Sequence, residues 1–593
     1  MIPSVNQRLL YPLALAAICL GFVVAVWALH PTCFFGLTHD DMLYFTSAQA
    51  IAQHKGYVLP SLPGAPPATK YPILYPWLLS WVWRWNPTFP ANLTGIIWLN
   101  LAFGLIFVLA AFNFLRRTED LSTTEVLLLT AFLAFQPWVL FYTSVTMAEI
   151  PFAALALTGL LLADTAMHRA APLSAGFGCG LILGFAILIR TAGVPLALAV
   201  LLVALFRRAW KHAVLFALAF APFFVALFWR TILLVPRPAT AFSSSAPGWR
   251  QAWLYHTDYV AFRRLASPDL HMVGQFVLNQ LIYLPAGIAG YFLSPLMDRH
   301  ILFWSVATVF VFCTVLVGWV RLAARSQWAP LHVAAAFYVL SLMSWDYPDW
   351  QRFMLIFLPV ILASLWLQGK QWLLQALAAV LRASHFSERV WAVSIALLLS
   401  GVFLAASYNF VASSRTWAFS VGQRRQRLFS EKQEAYSWFR GHAQQGDRVI
   451  AMEDGSLYLY TGLQSMVPIV PLPGGIYDAQ QVRSDMDHMM DVAQAIGARY
   501  WMSSVDDYDG TQKFFRPFLV ARAQQLQSVL TPVFRSSEDS VVIYDLTCVR
   551  EPRTATCRNA LLILFPEGIP DYALPKPLET SRSIASERRS SID

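Results

Sequence analysis

Charge is scarce in this 593-residue chain, with only 13% of residues Asp, Glu, Lys or Arg, against roughly 25% in soluble domains. Cysteine is scarcer still. Cys19, Cys33, Cys179, Cys313, Cys548 and Cys557 stand far apart, so no CxxC or Cys/His run offers metal-ligand spacing. That excludes a zinc finger, an iron–sulfur site and a disulfide framework; Cys548 and Cys557 alone could pair, and only outside the cytoplasm. A Walker A glycine loop, a GxSxG elbow and an HExxH helix are also absent, which removes the usual signatures of an ATP-driven pump, a serine hydrolase and a zincin. No internal repeat stands out.

What is abundant is apolar surface: 57% of residues are hydrophobic and the mean hydropathy is +0.51. A helix needs about 20 mostly apolar residues to span a bilayer. Such stretches read at about 9–29, 93–115, 126–145, 149–167, 173–189, 193–206, 212–235, 300–320, 328–345, 353–368 and 390–411, eleven in all. The first lacks a small-residue cleavage site and is read as a retained span rather than a secretory signal. Gln275 to Leu296 contains Asn279, Gln280, Pro285 and Pro295 and reads as an interfacial or re-entrant segment; a twelfth span there would invert everything downstream.

Lys and Arg outnumber Asp and Glu 23 to 13 over the first 411 residues and stand at 20 to 21 after them. The basic excess therefore belongs to the membrane half, where it punctuates apolar runs as orientation and lipid-phosphate contact require, and it argues against nucleic acid as a partner. Arg116-Arg117, His168-Arg169, Arg207 to Lys211, Arg321 to Arg325 and Lys370 to Arg389 fall on one side if the N-terminus is cytoplasmic. An odd number of spans then places loops 30–92 and 236–299, and everything after residue 411, outside.

From 412 to 565 the composition is that of an aqueous α/β domain, with helices expected over Glu431–His442 and Asp485–Ile496 and strands over Arg448–Met452, Tyr500–Ser503 and Val541–Leu546. Residues 566–593, rich in Pro, Ser and Arg, read as a disordered tail.

Chemistry-bearing residues gather in the outer segments. His39-Asp40-Asp41 follows the first span directly. Two carboxylates there suit a helix N-terminus, by capping and dipole, or a general base or divalent-cation ligand. Lys70 precedes the aromatic stretch Ile73 to Trp85 and stands at headgroup depth, as a snorkelling anchor or a phosphate ligand. Glu149, at the start of the fourth span, either complements the helix dipole or serves a functional site. Arg190, Arg230 and Arg352 sit at outer ends of apolar segments. Each is an ordinary anchor taken singly, but with Lys70 they make a cationic set suited to a phosphate or diphosphate leaving group.

These residues together resemble the GT-C superfamily of membrane glycosyltransferases, specifically the bacterial relatives of protein O-mannosyltransferases and lipid A aminoarabinose transferase (the RgtA/B/C/D-like group). Thr38-His39-Asp40-Asp41-Met42-Leu43-Tyr44 resembles the family's Asp-acidic-x-x-Tyr opening, and Lys70-Tyr71-Pro72 with Tyr75 and Trp77 its Lys-Pro-Pro…Tyr-Trp segment. Met147 to Pro151 resembles the second acidic site, Arg352-Phe353 with Pro359 the entry to a late span, and Tyr458 to Gly462 part of the extracytoplasmic domain. Two departures stand out: Asp41 replaces the more usual Glu, and Thr69 stands where the aminoarabinose enzymes often carry Glu.

The resemblance implies a polytopic α-helical membrane protein of about eleven spans, GT-C-like over residues 1–411, with a C-terminal extracytoplasmic α/β domain, in a bacterial inner membrane. It implies inverting transfer of a sugar from a polyprenyl-phosphate donor to an outer-face lipid, glycan or protein acceptor. Asp40 would be the general base, and Asp41 and Glu149, catalytic with it, would position the acceptor or a divalent cation, while Lys70 and Arg352 would bind the departing lipid phosphate; Arg190 and Arg230 join that phosphate-binding set as cations at span ends. A rival reading, a transporter or flippase of lipid-linked glycans, requires polar residues near the bilayer midplane, and the charges here cluster at span ends. A third makes the chain a non-catalytic assembly protein whose aqueous domain does the binding, with Asp506 to Gly510 as a calcium loop or a plain turn.

Overall fold

The computed structural model describes residues 5–547, apart from 30–33, 37, 168–170, 231–245, 267–269, 294–300, 326–328, 346–348, 383–389, most of 391–421, 473–483 and 508–515. The chain divides into two compact units. One comprises Met1–Phe35, Tyr71–Leu234 and Asp269–Arg425, the other Gly36–Lys70, Val235–Pro268 and Gln426–Asp593.

The first unit is built from apolar helices. Among the described residues seven are long and apolar enough to cross a membrane: Tyr11–Ala28, Leu93–Arg117, Glu149–Ala166, Trp210–Phe228, Leu270–Leu293, Ser305–Ala324 and Trp350–Ala378. Thr123–Ala134 and Pro137–Ser144 make an eighth if the pair, bent by 48°, is one span. The bend falls at Gln136, whose Oε1 accepts the Trp138 N–H at 2.6 Å beside a proline that has no N–H to offer. The protein is thus a multi-pass membrane protein; seven or eight helices among the described residues qualify as spans by length and composition, and the expected count of eleven is not confirmed.

Three of the expected spans fall on helices that are apolar but short, Leu173–Ile189, Thr191–Phe206 and Ala329–Met343. Another, 390–411, lies largely outside the described residues. Residues 275–293 of the segment expected to be interfacial or re-entrant belong to the continuous helix Leu270–Leu293, which runs 24 residues through Pro285, while 294–296 lie outside the described residues. Part of the polarity that argued against a span is satisfied internally: Gln280 is buried and its Nε2 donates to the Trp345 carbonyl at 2.8 Å. Neighbouring helices commonly re-satisfy groups in this way within a bundle.

Small residues set how closely these helices approach. Gly176, Gly180 and Gly184, one turn apart on Leu173–Ile189, all face Trp210–Phe228; a Cβ on Gly180 would lie 2.4 Å from the Phe216 carbonyl oxygen, and one on Gly184 2.4 Å from the Phe223 ring. This is the small-xxx-small contact by which apolar helices associate without a hydrophobic driving force.

The second unit is centred on a five-stranded sheet in the order β2-β1-β3-β5-β4, where β1 is Val449–Ile450, β2 Ser465–Met466, β3 Tyr500–Ser504, β4 Thr531–Arg535 and β5 Val541–Asp545. β1 runs parallel to β2 and β3, whereas β5 is antiparallel to β3 and β4. Helix Gly422–His442 covers one face and buries Ala435, Tyr436 and Phe439 against Val449, Tyr500 and Ile543. The expected helix over Asp485–Ile496 is interrupted: a helical turn over 484–487 and a turn over 488–490 precede the helix Asp491–Ala495.

Two distant segments complete this unit. The stretch 36–70 is fastened to the β2 edge, where the Ser465 N–H donates to the Ser61 carbonyl at 2.8 Å and Gln464 Nε2 to the Leu62 carbonyl at 3.1 Å. Helix Pro247–Thr257 is fastened through the Gly248 N–H to Asp491 Oδ2 and Gln251 Nε2 to Asp485 Oδ1, both at 3.0 Å. Buried charge supports the interior: Lys432 Nζ lies 2.6 Å from Glu453 and 2.9 Å from Asp506. The adjacent Asp507 carboxyl is pushed up to about 8 by burial, against the pull of Lys432.

The glycine stripe yields a paired test. Gly180→Ala overpacks a helix contact, which costs about 1–3 kcal/mol, and should lower the melting temperature of the detergent-purified protein by several degrees. Gly178→Ala, on the same helix with nothing within 4 Å of its added methyl, should leave it unchanged or slightly higher, since Ala is the better helix former by roughly 1 kcal/mol.

Candidate functional site

In the first unit the acidic residue at the fourth expected span meets two of the arginines. Glu149 opens helix Glu149–Ala166 and is 3% exposed. Its Oε1 accepts hydrogen bonds from Arg190 Nη1 and from Arg352 Nε. Each arginine is presented by a helix end. Arg190 is the extended residue between Leu173–Ile189 and the 3-10 turn Thr191–Gly193, and Arg352 belongs to the short helix Trp350–Phe353 that leads through the turn Met354–Phe357 into Leu358–Arg382. Both guanidiniums also stand near the Phe353 ring, at 5.5 and 5.9 Å from its centroid. One buried carboxylate thus orients two partly exposed guanidiniums, which leaves the trio with one net positive charge. Arg230 stands half-buried at the end of the helical segment that begins at Trp210.

The second unit holds Asp40, Asp41 and Lys70. Helix His39–Ala52 carries both aspartates in its first turn, behind an N-cap Thr38 whose side chain makes no cap bond. The two carboxylates differ in environment. Asp41 is buried, and its Oδ2 accepts the Gly36 N–H at 3.0 Å. Gly36 has φ +86°, a conformation that suits glycine, and the point a Cβ would occupy lies 2.8 Å from Ser456 Oγ. Burial pushes the Asp41 carboxyl well above the usual range, only partly countered by the Gly36 N–H, and the charges of Glu453 and Asp40 add to the rise. Asp40 is half-buried and is the more accessible of the pair.

Lys70 is half-buried, with Nζ 3.3 Å from the centroid of the Tyr255 ring and 5.4 Å from that of Tyr259. The preceding Thr69 donates its hydroxyl to the Thr257 carbonyl, so the ammonium is aimed by two contacts to one short segment.

Beside them is a cluster that spacing along the chain could not reveal. His39 Nε2 lies 3.1 Å from Asp454 Oδ1 and His256 Nε2 4.0 Å from Asp454 Oδ2. The two imidazole centroids are 5.0 Å apart. His256 is fully buried, and burial first, then the proximity of His39 and Lys70, hold its pKa well below the usual value, so its ring is neutral. Asp40, Asp41 and Glu149, the carboxylates expected to share a cation, do not make up this group: Glu149 lies in the first unit beneath its two arginines, and Asp41 is engaged by Gly36. Among the described residues the group with metal-ligand proximity is His39, His256 and Asp454. Two histidines in expected outer loops were the available sequence signal.

No family model matches the chain, and no curated protein matches it. Among solved structures it is similar to ArnT from Cupriavidus metallidurans bound to undecaprenyl phosphate, with 13% identity and a TM-score of 0.47 over 92% of this chain and 98% of that one. The apo state of that protein gives 13% identity and a TM-score of 0.46 over 91% and 98%. The oligosaccharyltransferase of Archaeoglobus fulgidus in complex with Zn and sulfate gives 13% and 0.48 over 82% of this chain and 68% of that one. Likeness at this level assigns no residue and no substrate, and the geometry above carries the functional reading.

The Glu149 trio is asymmetric, and stability measurements should expose it. Glu149→Ala leaves two like charges side by side in a low-dielectric setting, a loss of about 3–5 kcal/mol when one partner of a buried pair is removed. Arg352→Ala leaves a one-to-one pair with Arg190. Thermal unfolding in detergent should therefore place Glu149→Ala well below Arg352→Ala, and the double variant should recover part of the loss; equal effects of the two single variants would refute the arrangement.

Proposed function

We propose that this protein is a membrane glycosyltransferase that moves a sugar from a polyprenyl-phosphate donor to an acceptor hydroxyl at the outer face of a bacterial inner membrane, with inversion at the transferred carbon. In this reading the N-terminus is cytoplasmic and the C-terminal sheet lies outside. The observation that carries it is the meeting of Glu149, Arg190 and Arg352: Glu149 and Arg352 stand in the resembling motifs, Arg190 reads as a charge at a span end, and the three lie far apart in the chain. Preorganised guanidiniums at the ends of apolar helices suit a lipid phosphate, whose leaving-group charge must be met at headgroup depth.

Asp40, Asp41, Lys70, Glu149 and Arg352 take their roles from the motifs in which they stand, and Arg190 and Arg230 theirs from their place at helix ends. Asp40 takes the proton of the acceptor hydroxyl, whose oxygen then attacks the anomeric carbon as the bond from that carbon to the phosphate oxygen breaks. The burial of Asp41, bound to Gly36, favours Asp40 as the base and gives Asp41 the task of holding the helix start. Lys70, Arg190 and Arg352 neutralise the departing lipid phosphate, with Arg230 a more peripheral cation, and Glu149 positions the two arginines. The bond to the donor phosphate supplies the energy, so no nucleotide is required. Transport is the weaker reading, because these charges gather at helix ends rather than midway along the spans.

Native mass spectrometry of the detergent-purified full chain tests this. Wild type and Asp40→Asn should both retain a polyprenyl phosphate or its sugar adduct, whereas Lys70→Ala and Arg352→Ala should lose most of it, and Asp40→Asn should lack transfer activity. Bulk phospholipid alone in all four proteins would overturn the donor assignment.

A further inference from the structure

His39, His256 and Asp454 come from three separate segments of the second unit: the first residue of helix His39–Ala52, the last turn of Pro247–Thr257 and the first residue of Asp454–Thr461. The His256 and Asp454 side chains are 0% exposed and that of His39 18%. Neither ring nitrogen of His256 has a hydrogen-bond partner, and Asp454 Oδ2 has none. Buried polar atoms in native proteins are nearly always satisfied, so His256 Nε2 and Asp454 Oδ2, both unsatisfied and 4.0 Å apart, call for an explanation.

We infer that His39, His256 and Asp454 bind a divalent transition-metal ion of the zinc class, with one nitrogen from each imidazole and one carboxylate oxygen as ligands and the fourth position taken by water. Ligand atoms placed about 2.0–2.1 Å from a tetrahedral zinc lie about 3.3 Å from one another. The separations from the carboxylate, 3.1 Å from His39 Nε2 to Oδ1 and 4.0 Å from His256 Nε2 to Oδ2, bracket that value, and one ligand atom from each of the three residues lies within 4.8 Å of the others. Closing around an ion therefore requires shifts of an ångström or so, within reach of side-chain rotation. Two imidazoles and one carboxylate select zinc-class ions over magnesium or calcium, which take oxygen ligands. The surroundings supply orientation as well: Asp454 Oδ1 accepts the Gly455 N–H at 2.7 Å, and the Tyr255 ring stands 5.2 Å from His256 and 5.8 Å from His39.

The ion would cross-link three stretches separated by about two hundred residues each, and would fix the start of the helix on which Asp40 sits. Its effect is on order in the second unit, and it stands whether or not the donor assignment holds.

The test uses tag-free full-length protein in detergent. Elemental analysis of the purified protein should find about one zinc per chain. After stripping with a chelator, zinc chloride should raise the melting temperature of wild type, and magnesium chloride should not. His39→Gln, at the partly exposed ligand, and His256→Gln, at the buried one, should each weaken zinc binding at least tenfold and lose the zinc-dependent shift. Because the shift is read within each variant, destabilisation by the substitution alone does not mimic loss of the site. Absence of bound metal together with no zinc-dependent shift, a shift of equal size in both variants, or an equal response to magnesium would overturn the inference.

Discussion

A carboxylate that is 3% exposed and shares one oxygen between two guanidiniums constrains the membrane unit more than any other single group. Coulombic attraction in a low-dielectric interior is strong, but it offsets desolvation only when the geometry is good and the remaining donors are used. Here three helix ends must arrive together: the start of Glu149–Ala166, the exit of Leu173–Ile189 and the short helix Trp350–Phe353. The glycine contacts at Gly176, Gly180 and Gly184, and those of Gly287 against Trp350 and Gly318 against the Ser364 carbonyl, allow the close helix packing that such convergence requires. Glu149 thereby fixes both guanidiniums at helix ends, the arrangement on which the proposed phosphate site rests.

The second unit solves a different problem. Its strands are short, β1 and β2 only two residues each, and a sheet of that size gains from outside support. It recruits two stretches from far earlier in the chain, one against the β2 edge and the other against Asp485 and Asp491. The chemistry-bearing residues of this unit, Asp40, Lys70 and His256, all lie on the recruited stretches, while the sheet domain contributes Asp454. Placing such groups on loops held by a rigid frame is the usual division of labour between scaffold and function.

The legible parts of the chain were those with a local signature. Long apolar runs such as 93–115 and 149–167 read correctly as helices, and β3 and β5, with their bulky apolar residues, were expected within a residue or two. Leu270–Leu293 was misread because Gln280 and Pro285 look like breakers until the partner of Gln280, the Trp345 carbonyl, is known. β4 escaped notice because Pro532 argues against a strand, yet an edge position tolerates it, and the register slips at that residue. Glu149, Arg190 and Arg352 were each recognisable as charges at span ends, but their meeting spans 41 and 203 residues of sequence and follows no periodicity. The same holds for His39, His256 and Asp454. Spacing rules detect ligands on one helix or one hairpin, and these residues share neither.

The central claim is that the Glu149-held arginines receive a lipid phosphate, and an experimental structure of the full-length protein with polyprenyl phosphate bound tests it most directly. The account predicts a phosphate oxygen within hydrogen-bond distance of the Arg352 or Arg190 guanidinium, with Glu149 still bonded behind them. A phosphate located elsewhere, with both guanidiniums engaged by Glu149 alone, would contradict it.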